Sequence, residues 1–169
     1  MVNERERLIV EQIPHLRRYA LALLGDRDKA NDLVQDCLER GLSRWHLWRP
    51  GNLRAWLFTI MHNINANARR RAARAPASVP IEVADVAAAV PPGQEDGLNL
   101  AVLQRALTAL PEEQRAVLLL VGLEGFAYAE AAKILGVPIG TVMSRVHRGR
   151  EHLRRQLAGG TGPSLRRVK

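Results

Sequence analysis

Residues 76–97, "PASVPIEVADVAAAVPPGQEDG", limit most sharply how this 169-residue chain can fold. The stretch holds four prolines (Pro76, Pro80, Pro91, Pro92) and no Lys or Arg. Proline has no backbone N–H and breaks a helix interior. The small residues between the prolines offer little to bury, so the segment reads as a flexible linker. Its four acids (Glu82, Asp85, Glu95, Asp96) give it a charge of −4. The flanks are basic: residues 1–75 carry fourteen Lys/Arg against eight Asp/Glu, and residues 98–169 carry eleven against five. Each flank is therefore +6, within a net charge of +8. The expected organisation is a unit at 1–75, an acidic Pro/Ala-rich linker at 76–97, a second unit at 98–158, and a disordered basic tail at 159–169.

Both units read as helical. The chain is 47% hydrophobic but only 4% aromatic, and Ala, Leu and Arg favour helices over strands. In "RLIVEQIPHLRRYALALLG" the apolar residues recur at three- and four-residue steps, with Pro14 splitting the run and Gly25 stopping it. Asp26 or Asp28 then caps a helix whose stripe is Ala30, Leu33, Val34, Cys37, Leu38 and Leu42. Asp32, Gln35, Asp36, Glu39 and Arg40 fall on its outer face. A third helix, "NLRAWLFTIMHNINANARRRAAR", turns Leu53, Trp56, Leu57, Ile60, Met61 and Ile64 inward. Arg54, Thr59, His62, Asn63 and Asn67 lie outward, and Arg69, Arg70, Arg71 and Arg74 end it. Beyond the linker, Leu100, Leu103, Leu107 and Leu110 mark a helix, Pro111 opens another, and an apolar run over Val117–Val121 ends near Gly122–Gly125. The fold class is all-α: two small helical domains on a tether.

Several functions are disfavoured. The single cysteine, Cys37, excludes an internal disulfide and sits on an apolar stripe. No Cys/His spacing fits a metal, and no P-loop, HExxH, nucleophile elbow or carboxylate pair is present, so no catalytic residue and no cofactor are expected. The N-terminus lacks a secretion signal. No apolar run approaches the ~20 residues of a membrane span. A soluble, cytoplasmic location without membrane insertion is expected. The isoelectric point near 10.9 suits a polyanionic partner, nucleic acid first.

The stretch "GVPIGTVMSRVHRGREHLRRQL" narrows that partner. On a 3.6-residue wheel, Val142, Val146, Leu153, Leu157 and Gly149 share one side from Thr141 to Leu157. Ser144, Arg148, Glu151 and Arg155 lie opposite, flanked by Thr141, Arg145 and His147. Ala132, Gly136 and Val142 supply a small residue, a turn and an aliphatic lock, the spacing of a helix-turn-helix. Such a second helix enters a DNA major groove, where Arg meets guanine edges and Ser or Thr bonds either base class. An ordinary helical hairpin with a solvated basic face has the same spacing.

The whole segment "LPEEQRAVLLLVGLEGFAYAEAAKILGVPIGTVMSRVHRGREHLRRQL" resembles region 4, the promoter-binding domain, of bacterial extracytoplasmic-function sigma factors. "LLGDRDKANDLVQDCLERGLSRW" is similar to their region 2.1–2.2, and "GNLRAWLFTIMHNINANARRRA" to region 2.3–2.4. The resemblance covers roughly residues 8–75 and 98–157, in the family's order and with no region 3. It implies a sigma subunit that binds core RNA polymerase, reads −10 and −35 promoter elements and is held by an anti-sigma factor. It places Asp32, Leu33, Gln35, Asp36 and Arg40 against the β′ clamp helices, with region 4 at the β flap. It places Asn63 at a base flipped from the −10 strand, whose extrusion costs a few kcal/mol, with Asn67 among the other −10 contacts. Arg69, Arg70, Arg71 and Arg74 then hold phosphates. Trp45, Trp48 and Trp56 are candidate stacking surfaces, with Trp56 the more suited to the core. Thr141, Ser144, Arg145, His147 and Arg148 read the −35 element. The sequence departs from the family at Met143, usually Lys, at Asn67, often Asp, and at Gly149, usually Ala. That glycine is expected to weaken its helix by up to ~1 kcal/mol. The alternative is a sigma-like adaptor or a stand-alone helix-turn-helix regulator.

Overall fold

The computed structural model describes residues 3–76 and 94–159. The linker's central part and the C-terminal tail lie outside the described residues; 94–97, expected in the linker, instead begin a helix.

The expected break at Pro14 divides the first run into α1 (Glu4–Val10) and α2 (Ile13–Leu24). Proline sits in the first turn of α2, where its missing N–H has no helical partner to lose. Gly25 closes α2 with a left-handed φ of 67°, a conformation that only glycine adopts freely. Asp26 caps α3 (Arg27–Ser43), its carboxylate accepting from the Asp28 and Lys29 amides at 2.9 and 3.0 Å. A 3-10 turn (Trp45–Leu47) leads to α4 (Leu53–Arg74), capped by Asn52. Leu16, Tyr19 and Leu23 of α2 pack with Leu33, Val34 and Cys37 of α3 and with Leu57, Phe58, Met61 and Ile64 of α4. Such fully buried side chains contribute about 1.5–3 kcal/mol each. The Cys37 thiol is buried and donates to the Leu57 carbonyl at 3.3 Å; burial pushes its pKa up to about 12.

The second half comprises α5 (Gln94–Thr108), α6 (Glu112–Leu118) widening into a π turn (Leu119–Leu123), α7 (Tyr128–Leu135) and α8 (Ile139–Gly159). Pro111 is the N-cap of α6 rather than its first helical residue. Val117, Leu120, Ala131, Ile134, Val142 and Val146 form the centre of this half. The buried residues of the two halves form one continuous cluster, in which Phe126 stacks edge-on against Phe58 at 5.1 Å.

Some expected core residues are exposed. Leu42 is 41% accessible, because it follows Gly41 at the last turn of α3, where the stripe runs out. Leu100 and Leu103 are also open, while Ala106 and Leu107 near the end of α5, and Leu110 just after it, are buried. Conversely, Arg54, Thr59 and His62 are partly covered, because α4 packs on its own bundle with one face and on α7 with another.

Candidate nucleic-acid interface

The α7–α8 corner is built by backbone hydrogen bonds. Gly136 adopts φ 65°, and the Val137 amide reaches back to the Ala132 carbonyl at 3.1 Å, a Schellman closure that ends α7. The Pro138 carbonyl accepts from the Thr141 and Val142 amides and starts α8. Val142, Val146 and Gly149 are buried against the rest of the domain. A Cβ on Gly149 would lie 2.9 Å from Leu118 Cδ1 and 3.1 Å from Leu118 Cγ. The glycine therefore lets α8 approach α6 closely, which offsets the helix weakening expected of it.

This packing leaves Ser144, His147 and Arg148 exposed on one face of α8. Ser144 donates to the Thr141 carbonyl at 3.0 Å, and Thr141 is half-buried. Arg145 differs from its neighbours. Its side chain is only 23% accessible and pairs with Glu113 at 2.9 Å. Met143, exposed beside them, carries no charge to this face.

The α4 set divides in the same way. Asn63, Asn67, Arg70 and Arg71 are exposed, with Arg70 donating to Asn67 at 2.9 Å. Asn67, Arg70, Arg71 and Arg74 line an open groove of about 430 Å³, whose other wall is Asp36 and Arg40 of α3. Arg69 turns away from that groove to Glu112, at 3.0 Å. On α3, Asp32, Gln35, Asp36 and Arg40 are exposed, and Gln35 donates to Glu39 at 3.0 Å. Leu33, at 6% accessibility, lies in the bundle core beneath them. The tryptophans pack on one another, Trp45 on Trp48 at 4.8 Å and on Trp56 at 6.4 Å, with Arg5 over Trp45.

Sequence reasoning missed a polar seam between the halves. Glu124, its side chain fully buried, accepts from Arg18 at 3.0 and 3.1 Å, from Arg54, and lies 3.2 Å from His15 Nδ1. Burial alone would raise its carboxyl pKa, but the Arg18 and Arg54 hydrogen bonds outweigh it and hold the group below the ordinary value. Asn65 donates to Glu112 at 2.7 Å, and Asn52 donates to Glu130 at 3.0 Å. Arg115 donates to the Leu23 carbonyl of α2. A cleft of about 190 Å³ at the seam is lined by His62, Arg69, Glu112, Glu113 and Arg145 among others. Burial, then the nearby Arg145, Arg69 and Arg70, lower the His62 pKa. The available signal was one acid, Glu124, isolated in an apolar run between Leu123 and Phe126.

A helical bundle with an amide-and-arginine row, joined to a helix-turn-helix, defines a bipartite nucleic-acid-binding protein. Residues 9–62 match the family model "Sigma2 domain of PhyR", and residues 100–153 match "Sigma-70, region 4". The chain is 41% identical over 150 residues to the ECF RNA polymerase sigma factor EcfG of Rhodopseudomonas palustris, covering 86% of this chain and 80% of that one. It is 36% identical over 157 residues to the ECF sigma factor SigE of Mycolicibacterium smegmatis, covering 90% and 61%. Among solved structures, the sigma factor RpoE of Bartonella quintana, in complex with the anti-sigma factor NepR, superposes with a TM-score of 0.75 at 34% identity, covering 90% and 96%. The chain belongs to the ECF family of RNA polymerase sigma factors. No helix among the described residues is long and apolar enough to cross a membrane.

Proposed function

We propose the following division of labour for this sigma factor. Ser144, His147 and Arg148, with Thr141 and Arg145 at the edge of the same face, read the −35 element from the major groove. Asn63 and Asn67 meet the displaced −10 strand, and Arg70 and Arg71 hold its phosphates; Arg69 joins them once released from Glu112. Asp32, Gln35, Asp36 and Arg40 dock on the polymerase β′ clamp helices, and the second domain sits at the β flap. An anti-sigma factor of the kind bound to the Bartonella RpoE restrains the chain. The observation that carries this reading is the pair of separate exposed faces, one on α8 within the segment matched by the region 4 model, the other on α4 directly after the segment matched by the Sigma2 model, which ends at residue 62. Arg serves both roles because its planar fork bonds guanine edges and phosphates alike.

A second reading, a sigma-like adaptor that captures an anti-sigma factor, is favoured by the PhyR description of the first family model. One experiment separates the two: run-off transcription with purified core polymerase. A sigma factor yields promoter-specific transcripts, lost when Gln35 and Asp36 are both replaced by Ala. An adaptor yields none while still binding the anti-sigma factor.

A further inference from the structure

We infer that Ile139 and Met143 of α8 form an apolar pair that reads thymine methyl groups in the major groove of the −35 element. The inference rests on the sigma-factor reading and adds the base chemistry that this chain's own side chains select.

The pair serves no core. Val142 and Val146 fill the inner side of α8, at 0% and 2% accessibility, whereas Ile139 is 49% and Met143 53% accessible. Among the described residues of α8, these are the two large apolar side chains that stand open to solvent. A single exposed apolar residue needs no explanation. Two at positions i and i+4 of one helix have Cβ atoms about 5–6 Å apart and make a continuous surface.

That surface runs into the row proposed to meet DNA. From its start, the exposed face of α8 presents Ile139, Gly140, Met143 and Ser144, then His147 and Arg148. The segment matched by the region 4 model contains the pair. In a helix-turn-helix the N-terminal side chains of the second helix lie at the base edges. Here no side chain from Ile139 to Ser144 is charged, and the first cation, Arg145, is turned to Glu113 at 2.9 Å. The groove floor therefore meets apolar groups and hydroxyls before it meets Arg148. Gly140 lies between the two apolar residues. No atom of the described residues comes within 4 Å of the point where its Cβ would stand, so a base edge can approach the backbone there.

The chemistry of the groove names the target. Its edges carry donors and acceptors, except for the thymine C5 methyl, which is apolar. An apolar side chain laid on a donor or acceptor strips its water and returns no hydrogen bond, which is unfavourable. Laid on a methyl, it removes apolar surface from water, which is favourable. Ile139 and Met143 thus attract thymine and penalise the polar edges, the two halves of specificity. Four residues of helix rise about 6 Å, less than two base-pair steps of about 3.4 Å, so the pair covers neighbouring base pairs.

The test uses the full chain with core polymerase on promoter duplexes that carry the preferred −35 element. Each thymine in turn is replaced by deoxyuridine, which lacks only the methyl. At one or more positions the wild type is expected to lose affinity about fourfold, the factor that one buried methyl group carries. Met143→Ala or Ile139→Ala should bind the thymine duplex more weakly by a similar factor. Each should then no longer distinguish thymine from deoxyuridine at its own position. Met143→Lys should lose the same distinction, while its slope of log affinity against log salt steepens by about one as a phosphate contact is gained. A circular dichroism melt shows that the variants remain folded. Deoxyuridine bound as tightly as thymine at every position overturns the methyl reading. So does a preferred element without thymine on either strand, or a deoxyuridine penalty that survives in both Met143→Ala and Ile139→Ala. Promoter-specific run-off in those cases leaves the sigma reading standing. A deoxyuridine penalty shown by the chain alone, with no run-off from core polymerase, overturns the sigma reading and leaves the methyl reading in place.

Discussion

Helices α4 and α8 are nearly equal in length, and both carry proposed promoter contacts, yet they are used differently. Helix α8 buries one stripe and leaves the opposite face to solvent. Helix α4 is covered on two sides, by its own bundle and by α7, and only its C-terminal half projects a free row of polar groups. A helix with one buried face can be read residue by residue from its wheel. A helix with two buried faces cannot, because the second contact is made by residues far away in the chain.

The contrast is open to attack first at α8. Replacing Arg148 with Ala should reduce discrimination between the preferred and a substituted −35 element about tenfold, since a bidentate base contact contributes about 1–3 kcal/mol. Run-off transcription on paired templates measures this, and equal discrimination would remove α8 from sequence reading. At α4 a different signature is expected. Replacing Arg70 and Arg71 with Ala should weaken promoter binding several-fold on all sequences alike. The slope of log affinity against log salt should shrink by about one for each phosphate no longer neutralised. A sequence-dependent loss would mean that these arginines read bases.

A smaller effect tests the second buried face of α4. The His62 pKa lies below its ordinary 6.5 in the folded protein, through burial first and the nearby arginines second. The unfolded chain binds a proton more readily, so the fold keeps its full stability above pH 6.5 and loses some as the pH falls below it. Lowering the pH from 7.5 to 5.5 should therefore lower the melting midpoint, and His62→Gln should flatten that response. The smallest effect falls on α8. Gly149→Ala gains up to ~1 kcal/mol of helix propensity but presses a methyl onto Leu118. The melting midpoint should move by only a few degrees; a large fall would show that Leu118 cannot yield.

Much of this is legible in the sequence. The break at Pro14, the caps at Gly25 and Asp26, the buried Cys37 and the stripe of α8 follow from local rules that act within a few residues. The α8 face emerges for the same reason. What stays hidden is long-range. Nothing local says that Glu124 will meet Arg18, 106 positions away, or that Arg69 and Arg145 will be held by adjacent glutamates. Arg54 and His62 look solvated because a helical wheel shows amphipathicity, not the second body that covers the polar side. Leu33 falls within the proposed docking motif, although its place on the stripe already puts it inside.

Arg115 carries a consequence of its own. Helix α2 has no basic residue in its last turn, and its Leu23 carbonyl is met by the Arg115 guanidinium, which also bonds the Thr108 carbonyl at the end of α5 and the Leu110 carbonyl just after it. One cation thereby neutralises the negative ends of two helices in different halves. Arg115→Gln should strip α2 of that counter-charge, and its final turn is expected to fray first. Amide hydrogen exchange near Leu23 and Leu24 is thus a built-in gauge of a contact made 92 positions away in the chain.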